Sequence, residues 1–285
     1  MKFHLDTSEV FVPDGLPKEP ALARTTHLCV AAHQDDIEIM AAQSILECFQ
    51  REDKWFTGVV VTDGRGSPRN GIYEKYSDEE MRLARFKEQR KAAVVGEYAA
   101  QIMLDYPSKV VKDGKNTFPV ADIVAILKAT HPQMVFTHNL ADKHDTHVGV
   151  TLKVIAALRQ LPVDERPQKL YGCEVWRDLD WMVDSDKTAF DLSAQENLQA
   201  ALLGVFDSQI SGGKRYDLAS LARRRSNATY FESHGVDVTT GLSFAMDMTP
   251  LLADADKSPC DFVQEFIQRF NKDVTDRLNR FGQLK

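Results

Sequence analysis

The 285-residue sequence holds only four cysteines, Cys29, Cys48, Cys173 and Cys260, and no two share a C-x-x-C spacing. That scatter excludes a disulfide framework and points to a reducing, cytoplasmic setting. No apolar run is long enough to cross a bilayer, and Met1-Lys2-Phe3-His4-Leu5-Asp6 lacks the apolar core of a secretion signal. Positive charge is not in excess either. Thirty-five Lys and Arg against 42 Asp and Glu leave a formal charge of −7, which offers no footprint for nucleic acid or an anionic membrane. Internal repeats, low-complexity tracts and linker-like shifts of composition are also missing. One domain over residues 1–285 is therefore expected, with 1–25 as an irregular lead-in and 177–285 as pocket-shaping and C-terminal elements.

The 43% hydrophobic and 27% charged content is that of a soluble globular protein. From Thr26 onward the pattern alternates strand, loop and helix. Apolar, β-branched runs at 27–32, 57–62, 100–104 and 134–137 read as buried strands. Segments 169–176 and 241–247 read as further strands. Helical spacing covers 37–51, 119–130, 147–160, 194–206 and 218–233. Ser77 opens a capping box with Glu80, and Gly96 closes the helix that follows. Such alternation predicts a Rossmann-like, three-layer α/β/α fold with a mostly parallel sheet. Arg223-Arg224-Arg225, the one basic run, reads as a solvated helix face.

Two polar clusters follow apolar strands. Ala32-His33-Gln34-Asp35-Asp36-Ile37-Glu38 comes after Leu28-Cys29-Val30-Ala31, and Asp142-Lys143-His144-Asp145-Thr146-His147 comes after Met134-Val135-Phe136. In an open α/β sheet, ligands bind at the carboxyl ends of strands. His33, Asp36 and His147 can supply the three protein ligands of a catalytic zinc, and the same donor set also suits iron(II). Asp35 is left free to take the proton of a metal-bound water attacking a carbonyl. His144 can stabilise the developing oxyanion, with Asp142 orienting it. Together these parts describe a hydrolase for an amide or ester. The first turn lacks G-x-G-x-x-G, and its two carboxylates would repel a pyrophosphate, which argues against dinucleotide binding.

The other histidines read differently. His27 and His131 look structural, and His138 suits a backbone hydrogen bond. His234 is a candidate to reach the substrate from a late loop.

The first cluster resembles the A-H-P-D-D-x-E signature of the PIG-L/LmbE-like deacetylases, and the second resembles that family's D-x-H-P-D-H. Thr62-Asp63-Gly64, the helix from Arg85-Phe86-Lys87-Glu88 to Gly96, Ser208-Gln209 and Tyr230-Phe231-Glu232 resemble further landmarks in the same order. The resemblance implies a zinc enzyme that removes the N-acetyl group from N-acetylglucosamine or its conjugates. Carried over by position, His33, Asp36 and His147 are ligands, Asp35 the base and His144 the oxyanion stabiliser. Departures are Gln34 in a proline position, Thr146 where an aspartate often stands, and Arg65 where many relatives have glutamate. Arg65 and Arg69 are candidates for a carboxylate or phosphate on the substrate. The expected partner is a small N-acetylated sugar, with homo-oligomerisation left open. Competing readings are a metal hydrolase of another amide or ester, and a non-catalytic sugar-binding relative.

Overall fold

The computed structural model describes residues 1–282. Among them, eight strands form one sheet. In chain order they are β1 (Glu9–Phe11), β2 (His27–Ala31), β3 (Phe56–Thr62), β4 (Ala100–Tyr106), β5 (Met134–His138), β6 (Lys169–Cys173), β7 (Lys187–Asp191) and β8 (Leu242–Asp247). Their spatial order is β1-β4-β3-β2-β5-β6-β8-β7. The five central strands, β4 to β6 in that order, pair in parallel. Antiparallel β1 closes one edge, and β8 and β7 close the other. The chain leaves β2 toward β3 on one side, while β5 lies on the other. That reversal of direction opens a crevice at the carboxyl ends of β2 and β5.

The helices are α1 (Lys18–Ala23), α2 (Asp36–Met40), α3 (Ala42–Cys48), α4 (Asp78–Val95), α5 (Ser108–Lys112), α6 (Phe118–Thr130), α7 (Asp145–Arg159), α8 (Glu196–Gly204), α9 (Asp207–Ile210), α10 (Tyr216–Tyr230), α11 (Pro250–Ala253) and α12 (Pro259–Phe281). Strand alternation sorts the core into two layers. Leu28, Val30, Val59, Ile102 and Leu104 pack against α5, α6, α7 and α12. Cys29, Ala31, Val60 and Met103 pack against α2, α3, α4 and α8 on the opposite face. Every residue of β2, β3 and β4 is buried, which is why these strands read as continuous apolar runs. The three-layer, mostly parallel fold expected from the sequence is the one observed. No helix among the described residues is long and apolar enough to cross a membrane.

Three local expectations need correction. The lead-in 1–25 is not irregular throughout, since β1 adds to β4 and α1 follows it. Three residues are too few to show a period; the strand exists because Glu9–Phe11 find the free edge of β4, with Ser8 Oγ donating to the Leu104 carbonyl at 2.9 Å. Strand β7, five residues with no fully buried position, forms the opposite edge of the sheet. The helix expected over 37–51 breaks at Ala41 into α2 and α3. Arg224 on α10 fills that break, its Nη2 donating to the carbonyls of Glu38 at 2.7 Å and Ile39 at 3.2 Å. It is 5% exposed, so the arginine run is not a solvated face at this position. The capping box at Ser77 forms as expected, with Ser77 N–H donating to Glu80 Oε2 at 2.8 Å.

Candidate metal centre

Both polar clusters converge on the crevice. At the end of β2 the chain turns sharply into α2, and Asp35 takes φ 91° to make the turn. A non-glycine residue rarely adopts that conformation, and such strain persists where the surroundings hold it. Arg85 donates to the Gln34 carbonyl, and the Gln34 side chain donates to the Thr62 carbonyl at 3.2 Å. Gln34 therefore pins the turn from within a fully buried position. Across the crevice, β5 ends at His138, and a short loop leads into α7, whose first turn carries His147.

Three electron-rich atoms meet there. His33 Nδ1 lies 3.1 Å from Asp36 Oδ2 and 3.2 Å from His147 Nε2, and the third edge, His147 Nε2 to Asp36 Oδ2, is 3.4 Å. Three ligands of a tetrahedral zinc at ~2.0–2.1 Å stand about 3.3–3.4 Å apart, so this donor triangle fits such an ion. Convergent acceptors at this spacing repel one another unless a cation or proton lies between them. Burial opposes charge on His147, yet Asp36 and Asp142 raise its proton affinity above the usual value. Burial likewise opposes ionisation of Asp36, but His147 beside it holds it well below the usual carboxylate range. The arrangement favours positive charge at its centre.

Two wider groupings also approach closely enough to share an ion, His33 with His144 and His147, and Asp36 with His138 and His147. His138 is engaged elsewhere. Its Nε2 accepts from the Ala32 N–H at 2.8 Å, and its ring stacks on His147 with centroids 3.9 Å apart. Burial, then the neighbouring His147, pushes its pKa down to about 4, so the ring is neutral. The backbone role expected for His138 is the one seen.

Asp142 does not orient the His144 ring as expected. Its Oδ2 accepts from His147 Nδ1 at 3.2 Å and from Val175 N–H at 3.2 Å, while Oδ1 takes only the backbone N–H of His144 at 3.0 Å. Five residues along the chain, His147 has completed the first turn of α7 and faces back toward Asp142, whereas His144 sits before the helix. Its ring meets His33 and His147 at centroid distances of 5.1 and 4.6 Å. Burial, with His147 and His33 beside it, lowers its proton affinity and so favours the neutral imidazole.

Asp35 Oδ1 lies 3.4 Å from Arg85 Nη2. Burial raises the Asp35 pKa to about 7 against the pull of that guanidinium. Gly64, at φ 67°, makes the approach of Arg85 feasible, because a Cβ there would come within 2.9 Å of Arg85 Cδ. These residues line a cavity of about 360 Å³, together with Lys112, His144, Thr146, Trp176, Gln209, Lys214 and Tyr216.

Three sequence candidates lie outside it. Arg65 binds Asp63 at 2.7 Å, and Arg69 binds Asp78 at 2.5 Å and the Arg65 carbonyl at 2.7 Å. His234 is exposed on the segment after α10 and does not line the cavity. Local carboxylates capture the two arginines, so the cations lining the cavity are Arg85, Lys112 and Lys214. Sequence inspection passed over Lys112 and Lys214 because nothing near them in the chain marks a site. Arg85 carried a signal only through the family-like helix pattern.

Residues 28–158 match the family model described as GlcNAc-PI de-N-acetylase, PIG-L. No curated protein matches the chain in sequence. Among solved structures, a conserved protein of Thermus thermophilus superposes with a TM-score of 0.62 at 18% identity, covering 82% of this chain and 99% of that one. The N,N'-diacetylchitobiose deacetylase of Pyrococcus horikoshii gives 0.59 at 18% identity, covering 77% and 83%. The 4-carboxy-2-hydroxymuconate hydratase of Pseudomonas putida gives 0.58 at 16% identity, covering 77% and 95%. At such identities the likeness is one of fold, and this fold serves more than one chemistry.

Proposed function

With residues 28–158 carrying the PIG-L family pattern, we propose that this chain is a metal-dependent de-N-acetylase acting on an N-acetylglucosamine-type sugar or its conjugate. The observation that carries the reading is the donor triangle of His33, Asp36 and His147 with the free carboxylate of Asp35 beside it. The structural likeness to a chitobiose deacetylase supports the scaffold, and the residues supply the chemistry.

His33, Asp36 and His147 would hold the ion, which is zinc in this reading, with iron(II) compatible with the same donors. When bound, the metal polarises the acetamide carbonyl and makes water a stronger nucleophile at neutral pH. Asp142 fixes the tautomer of His147 by accepting its Nδ1 proton, leaving Nε2 free to bind. Asp35 accepts the proton of water as the water oxygen bonds to the acetamide carbon. His144, a neutral imidazole, offers an N–H to the oxygen that gains charge, a role that does not require imidazolium. The C–N bond then breaks, the nitrogen takes up the proton held by Asp35, and acetate and the amino sugar are the products. Trp176 and Tyr216 give the cavity aromatic walls on which the apolar faces of a sugar ring can pack.

The test is acetate release by zinc- or iron-loaded protein from a panel of N-acetylglucosamine conjugates, beside Asp35→Ala. The expected result is release that falls by roughly 10²–10⁴-fold in the variant while bound metal is retained. Near-normal release by Asp35→Ala would remove Asp35 as the base. No release from any panel member by loaded protein would move the reading to another amide or ester substrate, or to sugar binding without turnover.

A further inference from the structure

We propose that the cavity contains an anion subsite formed by Lys112 and Lys214, so that the substrate carries a carboxylate or phosphate away from its acetamide. This rests on the deacetylase reading for the identity of the sugar, but not for the binding of the anion.

The charge distribution is the first argument. The protein is acidic overall, with a formal charge of −7, yet the cavity is lined by three permanent cations beside the carboxylates of Asp35 and Asp36. Arg85 is committed, since it binds the Gln34 carbonyl and Ser67 Oγ and lies 3.4 Å from Asp35. Lys112 and Lys214, both solvent-exposed like Lys115, are not committed. Neither has a carboxylate or any other hydrogen-bond acceptor within bonding distance among the described residues, whereas Arg65 and Arg69, just outside, are each paired. Two unpaired cations at a concave site, away from the carboxylates at its metal-binding end, offer an anion charge-assisted hydrogen bonds.

The second argument is how Lys214 is held. The Ser211–Arg215 turn joins α9 to α10 through two glycines. A Cβ on Gly212 would collide with the Ser208 carbonyl, and one on Gly213 would stand 2.9 Å from the Gln209 carbonyl. The tight turn lets Lys214 N–H donate to the Gln209 carbonyl at 2.8 Å and sets its Nζ 4.9 Å from the centre of the Trp176 ring. An ammonium over an indole face is constrained in direction, at a smaller cost in mobility when it binds a ligand. Lys112 comes from a different part of the chain, at the end of α5 beyond the carboxyl end of β4. The fold thus brings the two lysines to one cavity from two segments of chain.

The experiment uses the full zinc-loaded chain carrying Asp35→Ala, so that turnover does not intrude. Binding of N-acetylglucosamine 6-phosphate and of N-acetylmuramic acid is compared by calorimetry with that of neutral methyl N-acetylglucosaminide. The expected result is that at least one anionic probe binds about tenfold or more tightly than the neutral one, and that added salt narrows the gap. The probe that gains more identifies phosphate or carboxylate as the preferred group. In the Lys112→Met/Lys214→Met protein the preference should collapse toward one, and Lys115→Met, an exposed lysine outside the cavity, should retain it. Equal binding of anionic and neutral probes, failure of both anionic probes to bind, or a preference that survives the double substitution would each overturn the subsite. Absence of acetate release in the loaded enzyme would defeat the deacetylase reading and leave this ratio standing, and a ratio of one would do the reverse.

Discussion

The guanidinium of Arg224 lies 2.7 Å from the backbone carbonyl of Glu38, joining α10 to the short helix that presents Asp36. The bond replaces one that an unbroken helix would have made for itself. Nη1 of the same side chain donates to Gln199 on α8 at 3.0 Å, so one buried arginine ties three helices together behind the donor triangle.

Arg224→Met should leave the freed carbonyls of Glu38 and Ile39 without a donor. A loss of about 2–4 kcal/mol of unfolding free energy is expected, with weaker metal binding because Asp36 is no longer held. Urea denaturation and a metal titration read the two effects. Unchanged values in both would show that the break in the helix is self-supporting.

Asp142→Asn keeps the shape of the side chain and removes its charge. With the fixed tautomer of His147 gone, metal affinity should fall by roughly 10–100-fold, measured by competition with a chromophoric chelator. The same substitution at a residue serving His144 alone would lower turnover and leave metal affinity intact, so the assay decides which histidine Asp142 supports.

Glu174, 6% exposed, accepts from Leu179 N–H at 2.7 Å and Trp181 Nε1–H at 3.0 Å. Burial raises its pKa from 4.5 to about 7. The folded chain therefore binds this proton more tightly than the unfolded chain does. The resulting stability is fully present below pH ~4.5 and is lost as pH rises through ~7, amounting to about 3 kcal/mol at most. Glu174→Gln should remove this downward slope between those limits, whatever its amide costs at every pH by accepting only one of the two bonds. A slope that is unchanged in urea melts at a series of pH values would place the titration elsewhere.

Ser77→Ala removes one partner of the capping box and should cost about 1 kcal/mol. α4 also carries Arg85, so the variant should fray the helix start without moving the site. Thermal melts and metal affinity together check this, the first shifted and the second unchanged.

That cap was readable from the chain because it is local: Ser77, Glu80 and the helix they start lie within one turn. The donor set was readable for a similar reason. His33 to Asp36 spans a single turn, and the strand before it is an unmistakable buried run, so its carboxyl end and the chemistry there follow from adjacent residues. The end of β5 and the first turn of α7 give the second half in the same way. Even within this half, spacing misassigned Asp142, because choosing between His144 and His147 requires knowing where the helix begins.

What the sequence alone determined was the alternation of elements, hence the class of fold, and which histidines and carboxylates stand at the strand ends. Periodicity and strand ends encode these within a few residues. Only the tertiary structure decided that Arg65 and Arg69 are neutralised by carboxylates beside them, that Lys112 and Lys214 face the cavity unpaired, and that Arg224 is buried. Each of those depends on which groups the fold brings together across long stretches of chain. The electrostatics of a side chain are set by its neighbours in space, and the order of residues does not specify those neighbours until the sheet has formed.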